Sequence, residues 1–386
     1  MAEFKAEVVE LKIEEHPNAD ALELAVVGDY RAVVRKGDFV TGDWGIYIPE
    51  QAIVPLWLIE QLGLEGRLAG KEKNRVKPVK LRGQLSQGLV MPVFYVHSLI
   101  ISYHITVPDK DGNMHNPQVH KGDDVTELLG ITKWEPHIPT AMNGKCWNAM
   151  GKTIRFDIQN VKRYPDVLKG GEEVVMTEKL HGTWCCFGKH GSDYIVTSKG
   201  LSDRGLAFTL DADNEKNLYV RYFLKQGGKE ILDRLVYITG RDKVYILGEI
   251  FGPVQDLKYG MQKATFRIFD IYVGDPNGRG TGGCFYFNPK TLLAMISDIN
   301  ILNAQVGIKT VAEIVPILYH GPFSRKVMEE YTNGMETVSG NQEHIREGIV
   351  INPIVERSDP ELGRVVLKSV SEDYLLRKNK DATEFN

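Results

Sequence analysis

The chain has 386 residues, 42% of them hydrophobic and 25% charged, with a formal net charge of −4. That length corresponds to roughly two or three domains, each able to bury its own core, and the composition excludes a disordered, collagen-like or disulfide-rich chain. The near-neutral balance gives no whole-molecule attraction to nucleic acid, although a local basic face can hide within it.

The N-terminus, MAEFKAEVVELK, is charged and alternating, unlike a signal peptide. No apolar run approaches the roughly 20 residues that cross a bilayer. Cys146, Cys185, Cys186 and Cys284 form no CxxC pair and have no His at zinc-finger spacing, so they read as free thiols in a reducing compartment. A soluble, cytoplasmic protein with no membrane partner is expected.

In chain order, Ala6–Leu11, Leu22–Val27, Arg31–Val34 and Trp44–Ile48 alternate or run apolar. Pro17-Asn18, Gly28-Asp29, Lys36-Gly37-Asp38 and Thr41-Gly42-Asp43 punctuate them. Short strands at this density predict a small closed β-barrel over residues 1–94, of which the OB-fold is the commonest. Lys71, Lys73, Arg75, Lys77, Lys80 and Arg82 face a single acid, Glu72; this is either a solvated face or a rim that tracks phosphates. A connector follows over 95–150. It carries a polar, exposed insert around Pro108–Asn113, and a short helix is expected at Gly122–Gly130. Residues 151–386 mix strand signals (Glu173–Met176, Tyr194–Ser198, Val244–Glu249, Thr265–Val273, Gly348–Ile351, Val365–Lys368) with helical ones. The helices are expected at Lys216–Gln226, Thr291–Asp298, Val311–Val315 and Ser324–Asn333. This pattern predicts an α+β domain built on antiparallel sheet.

Chemistry concentrates in that last domain, in a fixed order. Lys179 follows a strand and precedes Gly182; a lysine nucleophile must be neutral to attack, so it needs burial or neighbouring cations. Next comes Ser198-Lys199-Gly200, again at a strand end. Glu249 then sits inside the apolar run Ile246–Phe251. Phe269, in Phe266–Ile271, offers a ring that can stack on a base. Glu347 precedes the apolar run Gly348–Ile351, and Lys368 ends the series. Any one of these has a bland reading: a solvated lysine, a carboxylate paired on the surface, a core phenylalanine. Together they make one pocket if the strands are neighbours. In it Glu249 and Glu347 would hold Mg²⁺ or Mn²⁺, directly or through water, and Lys368 would neutralise a phosphate.

This order resembles the covalent nucleotidyltransferase superfamily of polynucleotide ligases and mRNA capping enzymes, with their KxxG nucleophile motif and five companions. The form Thr177-Glu178-Lys179-Leu180-His181-Gly182-Thr183 is similar to the RNA-ligase branch that seals nicked duplexes; DNA ligases more often carry Asp where His181 stands. The resemblance implies that Lys179 forms a lysyl–AMP bond, with Glu178, His181 and Gly182 around the nucleotide. By the same resemblance Lys199 contacts ribose or phosphate, Glu249 the ribose or the metal's waters, Phe269 the adenine, Glu347 the metal and Lys368 the AMP phosphate. Two positions depart from the pattern: Trp184 stands where that branch often has Asn, and Val366 where a first lysine is common.

Glu14–Glu23 resembles the opening of OB domains that bind tRNA. With Val33–Gly37, Tyr47–Glu50 and Leu128–Ile131, it is similar to the Deinococcus-type RNA ligases, which fuse an N-terminal OB module to a minimal adenylyltransferase domain. The fold this implies is an OB-like barrel followed by an antiparallel-sheet nucleotidyltransferase domain of the ATP-grasp-like ligase type. The implied activity is an ATP-dependent RNA ligase sealing 3′-OH and 5′-phosphate ends, with nicked duplex RNA as partner and a monomer as the working form. ATP is expected over NAD because no nicotinamide-binding module precedes the catalytic domain. The short stretch after Lys368 leaves no room for a C-terminal OB domain, which counts against the capping guanylyltransferase and DNA ligase alternatives. A nucleic-acid-binding protein with an inactive ligase domain is the non-enzyme alternative.

Overall fold

Strands that alternate apolar and polar residues bury one face each, and both parts of this chain are assembled from such strands. The computed structural model describes residues 4–108, 114–135, 139–278 and 283–377. Two compact units divide it: one comprises Ala2–Glu135 with Val161–Pro165, the other Pro136–Asn160 with Asp166–Asn386.

In the first unit, Glu7–Glu10, Trp44–Ile48 and Leu89–Pro92 form one antiparallel sheet. Lys12–Glu15, Leu22–Val27 and Tyr30–Arg35 form another. Val8, Ile46, Ile48 and Met91 sit in one core cluster, and Leu11, Ala25, Val34 and Phe39 in a second. The turn between Leu22–Val27 and Tyr30–Arg35 needs its glycine. Gly28 has φ +57, and a Cβ there would lie 2.5 Å from the Lys162 carbonyl oxygen, which accepts a bond from the Asp29 N–H at 2.7 Å.

Two expectations in this unit change. A helix forms at Phe94–Ser102, where the pattern is weak, burying Val96 and Ile100 one turn apart. No helix forms at Gly122–Gly130. Its backbone bonds to the neighbouring strand instead, Gly122 N–H to Val8 O at 2.8 Å and Val125 N–H to Ala6 O at 2.9 Å. The polar insert is bracketed by the paired strands Val107–Pro108 and Met114–His115, and its residues 109–113 lie outside the described residues.

The second unit holds two five-stranded sheets among the described residues. One runs in the order Gln159–Asn160, Leu367–Val370, Gly348–Pro353, Glu173–Lys179, Ile317–Pro322, antiparallel except for the parallel pair at its Gln159–Asn160 edge. The other is wholly antiparallel, in the order Asp193–Ser198, Gly182–His190, Lys243–Phe251, Thr265–Val273, Phe285–Tyr286. Helices Leu218–Lys225, Gly228–Thr239 and Pro289–Gln305 share the second sheet's largest core cluster, bringing Phe223, Leu232 and Ile299 against Phe187 and Ile246. Cys185 and Cys186, adjacent on the Gly182–His190 strand, are fully buried, and all four cysteines are free thiols.

Local chemistry starts these helices: the Asn217 side-chain oxygen Oδ1 accepts from two backbone N–H groups of the first, and Asn288 caps the last with Pro289 at its start. The helix Gly228–Thr239 escapes a pattern reading because Gly227-Gly228 looks like a break. Val311–Val315 is not a helix. Its backbone joins the Thr265–Val273 strand, Ile268 N–H to Glu313 O at 2.8 Å and Val315 N–H to Ile268 O at 3.0 Å.

Candidate active site

Lys179 closes one strand and Gly182 opens a strand of the other sheet, so the three-residue step between them carries the chain from sheet to sheet. Lys179 pairs with Gly348 in register, which brings Glu347 beside it. The lysine amine donates to Glu347 Oε1 in an ion pair whose side chains are 17% and 6% exposed. Opposite, Trp184 pairs with Glu249, and Val350 pairs with Thr177 on one side and Lys368 on the other.

These strands enclose a cleft, the concave kind of surface that small-molecule sites use. Lys179, Lys199, Glu249 and Lys368 line it, with Asp157, which pairs with Lys199 at 3.3 Å. Ile158, Phe269, Val315, Val350 and Val366 add apolar wall between the polar groups. Phe269 tilts against Phe156 with ring centroids 5.4 Å apart.

Of the residues singled out in the sequence, Glu178, Lys179, Lys199, Glu249, Phe269 and Lys368 all meet in this cleft. Glu347 reaches it through Lys179. His181 and Gly182 do not line it. His181 turns into a buried network, with Nε2 2.6 Å from Asp256 and Nδ1 3.0 Å from the Tyr374 hydroxyl and 3.4 Å from Glu347 Oε2. Gly182 is a packing requirement, because a Cβ there would lie 2.3 Å from the Ile250 carbonyl oxygen.

The site also recruits residues that no motif marked. Asp157 and Ile158 precede a two-residue strand with no pattern of its own. Asp270, next to Phe269, lines the cleft and is bonded by Arg364. Asn352 shares the cleft-facing side of its strand with Val350, and the alternation along that strand was the one signal that could have pointed to it. Three lining residues carry a buried polar atom with no hydrogen-bond partner: Glu178 Oε1, Trp184 Nε1 and Asn352 Oδ1.

Packing charges this closely moves their proton affinities. Burial works against the Lys179 ammonium, but the Glu347 and Glu249 carboxylates outweigh it and raise its pKa above the ordinary lysine value. Burial, with the nearby Lys179 charge, pulls Lys368 down to about 8. Glu249 goes up to about 8 because burial outweighs the pull of Lys179. Glu347 also feels burial, yet the Lys179 charge and the His181 hydrogen bond bring it down to about 2. Two carboxyls beside one lysine are thus driven to opposite protonation by burial and by their hydrogen-bond partners.

No group of three or more metal-binding side chains occurs among the described residues. Glu249 in the cleft and Glu347 beside it, bonded to Lys179, nevertheless fit a Mg²⁺-like ion, which keeps several waters and takes one or two carboxylates plus substrate phosphates.

Two antiparallel sheets around a lysine–carboxylate cleft, with a small barrel as a separate unit, make this a nucleotidyltransferase-like ligase fold. Residues 172–370 match the RNA ligase family model, which is more than half of the chain, and the chain belongs to that family. Residues 7–93 match an OB-fold domain model. Among solved structures, the chain resembles the RNA ligase of Naegleria gruberi. A lysine-to-alanine mutant with ATP and manganese is 24% identical with a TM-score of 0.73, covering 96% of this chain and 98% of that one. A glutamate-to-alanine mutant with AMP and manganese is 23% identical with a TM-score of 0.73 (97% and 98% covered). The same ligase with pyrophosphate is 24% identical with a TM-score of 0.72 (97% and 98%). At this identity the likeness establishes a shared fold along nearly the whole chain. No curated protein sequence matches.

Proposed function

We propose that this RNA ligase joins RNA 3′-OH and 5′-phosphate ends using ATP, through an AMP covalently held on Lys179. The observation that carries this reading is the Lys179–Glu347 pair in a cleft also lined by Lys199, Lys368 and Glu249. Lys179, an ammonium while paired with Glu347, first releases a proton to solvent. The neutral Nζ then attacks the α-phosphorus of ATP; an N–P bond forms with loss of a second N–H proton, the bond to the β-phosphate oxygen breaks, and pyrophosphate leaves. Lys199 and Lys368 are placed to offset the charge on the phosphates. The RNA 5′-phosphate then takes AMP from Lys179, giving a 5′–5′ pyrophosphate end. A 3′-hydroxyl finally attacks that end and expels AMP. Glu249 and Glu347 would hold Mg²⁺ or Mn²⁺, which supplies further charge neutralisation at the phosphates.

Adenine is favoured over guanine by the two orphan acceptors. Glu178 Oε1 and Asn352 Oδ1 are buried, lack donors and line the same cleft as Phe269. The exocyclic amine of adenine can donate to such acceptors, whereas the 6-oxo group of guanine would face them with another acceptor. Burial raises the Glu178 pKa against the Thr337 hydrogen bonds that lower it.

A nicked duplex is the expected substrate, recognised through A-form shape and the 2′-hydroxyl. The reading includes a monomeric enzyme at work in the cytoplasm; no described helix is long and apolar enough to cross a membrane. The deciding experiment incubates the full chain with α-labelled ATP and Mg²⁺ or Mn²⁺. Covalent label on the wild type and none on Lys179→Ala is expected. An unlabelled wild type overturns the enzyme reading, and a labelled mutant reassigns the nucleophile. Label from GTP in place of ATP would favour a capping-type enzyme, and equal sealing of DNA-ended nicks would favour a DNA ligase.

A further inference from the structure

The step from Lys179 to Gly182 is clamped by a segment that contributes nothing to the cleft wall. His181 N–H donates to the Tyr259 hydroxyl at 2.7 Å, and the Gln255 amide donates to the Gly182 carbonyl. Between them in sequence lies Asp256, whose side chain is fully buried and whose Oδ1 is 2.6 Å from His181 Nε2. Asp256 Oδ2 accepts from Arg377 Nε at 3.0 Å. The Arg377 guanidinium lies 3.8 Å from the Tyr374 ring centroid, and the Tyr374 hydroxyl returns to His181 Nδ1 at 3.0 Å. Three side chains, Asp256, Arg377 and Tyr374, therefore close a circuit around one imidazole.

We propose that Asp256, braced by Arg377, is a positioning residue that fixes the His181 ring with Nδ1 toward Glu347, and so keeps Glu347 in place when Lys179 leaves it. This rests on the lysyl–AMP reading and adds a residue to it. Glu347 has two oxygens and two neighbours: Oε1 holds Lys179 and Oε2 faces His181 Nδ1 at 3.4 Å. When the Lys179 amine moves to the α-phosphorus, Oε1 loses its partner. A buried carboxylate that loses a partner must find another or swing away. With Asp256 accepting from Nε2–H, Nδ1 carries a hydrogen for Glu347 Oε2 when the ring is the imidazolium that the two flanking carboxylates favour, and the Tyr374 hydroxyl then accepts beside it. Asp256 therefore acts on the reaction rate through His181 and Glu347, and its loss is expected to leave ATP binding unchanged.

The test is single-turnover formation of the covalent adenylate by the full chain at varied ATP. Asp256→Asn should lower the maximal rate about 10–100-fold, the usual range for losing such a support, with the ATP half-saturation within about twofold. In a His181→Ala background the same substitution should cost less than about twofold more, because its route is already removed. A wild-type rate in Asp256→Asn overturns the proposal, as does a loss confined to ATP half-saturation or one fully additive with His181→Ala. Should Asp256→Asn fail to fold, Arg377→Lys carries the test. It keeps the charge but loses the guanidinium geometry, so a slower rate at unchanged half-saturation is expected, and an unchanged rate overturns the proposal. A wild type that forms no adenylate refutes the underlying reading instead, whatever the variants do.

Discussion

The barrel and the catalytic unit both carry lysines and arginines, but they use them in opposite ways. In the barrel, Lys71, Lys73, Lys80 and Arg82 are exposed, on and near the Val79–Leu81 strand and its turn. In the cleft, Lys179 and Lys368 are withdrawn from water, and each is pushed away from its ordinary proton affinity by its neighbours. A cation in water can attract phosphates but is screened by salt. A cation out of water is set by two or three specific atoms, so it can be given a chemical task. Arg75 shows that location, and not residue type, makes the difference. It sits in the barrel's basic run, yet it is 6% exposed, with its guanidinium 3.3 Å from the Trp134 ring centroid and bonded to Gln51 at 2.5 Å. It belongs to the barrel's packing and leaves the expected rim one cation shorter.

Four substitutions sharpen this contrast. Glu347→Gln takes away the charge that defines Lys179, and covalent adenylate formation should slow by about 100-fold. An unchanged rate would show that the pair is structural only. Arg75→Ala should cost the barrel about 2 kcal/mol, read as a lower denaturation midpoint. Adenylate formation should be untouched, and a variant as stable as wild type would return Arg75 to the surface rim.

Glu249→Gln tests the electrostatics through pH, without nucleotide or metal. The folded-state pKa of Glu249, about 8, lies above its ordinary value of 4.5. Its contribution to stability is therefore complete below pH 4.5 and is lost as pH rises through 8. The variant should melt higher than wild type at about pH 8.5 and nearly the same at about pH 5. Equal shifts at both pH values would mean that the carboxyl is not held protonated. The smallest effect belongs to Lys80→Glu with Arg82→Glu. End joining should fall a few-fold at low salt, with the difference fading at higher salt and adenylate formation unaffected. A salt-independent loss would point to misfolding of the hairpin.

Much of the cleft was legible because its residues announce themselves locally. Lys179, Lys199 and Lys368 sit on strands or at their ends, and Glu249 is a charge inside an otherwise apolar strand. Such placements are costly without a purpose. Asp256, Tyr374 and Arg377 gave no comparable signal. Their partners lie 75, 193 and 121 positions away along the chain, and nothing in the segments around them marks a buried circuit. The misread helices failed for a related reason. At Gly122–Gly130 and Val311–Val315, composition and length suited a short helix, but a neighbouring strand offered the backbone better partners. The departures at Trp184 and Val366 both line the cleft, so the places where the sequence strays from the expected pattern fall at the proposed nucleotide site.

The adjacent thiols of Cys185 and Cys186 lie three and four positions beyond Gly182, on the strand that receives the chain from Lys179. Both are sealed within the sheet, whereas Cys146 and Cys284 are partly open to solvent. A thiol-specific reagent should therefore modify the chain in two phases, the fast one at the open pair. The slow phase would act as a clock for transient separation of the Gly182–His190 strand from its neighbours. The lysine's platform thus carries its own reporter of breathing, and bound nucleotide should slow that clock.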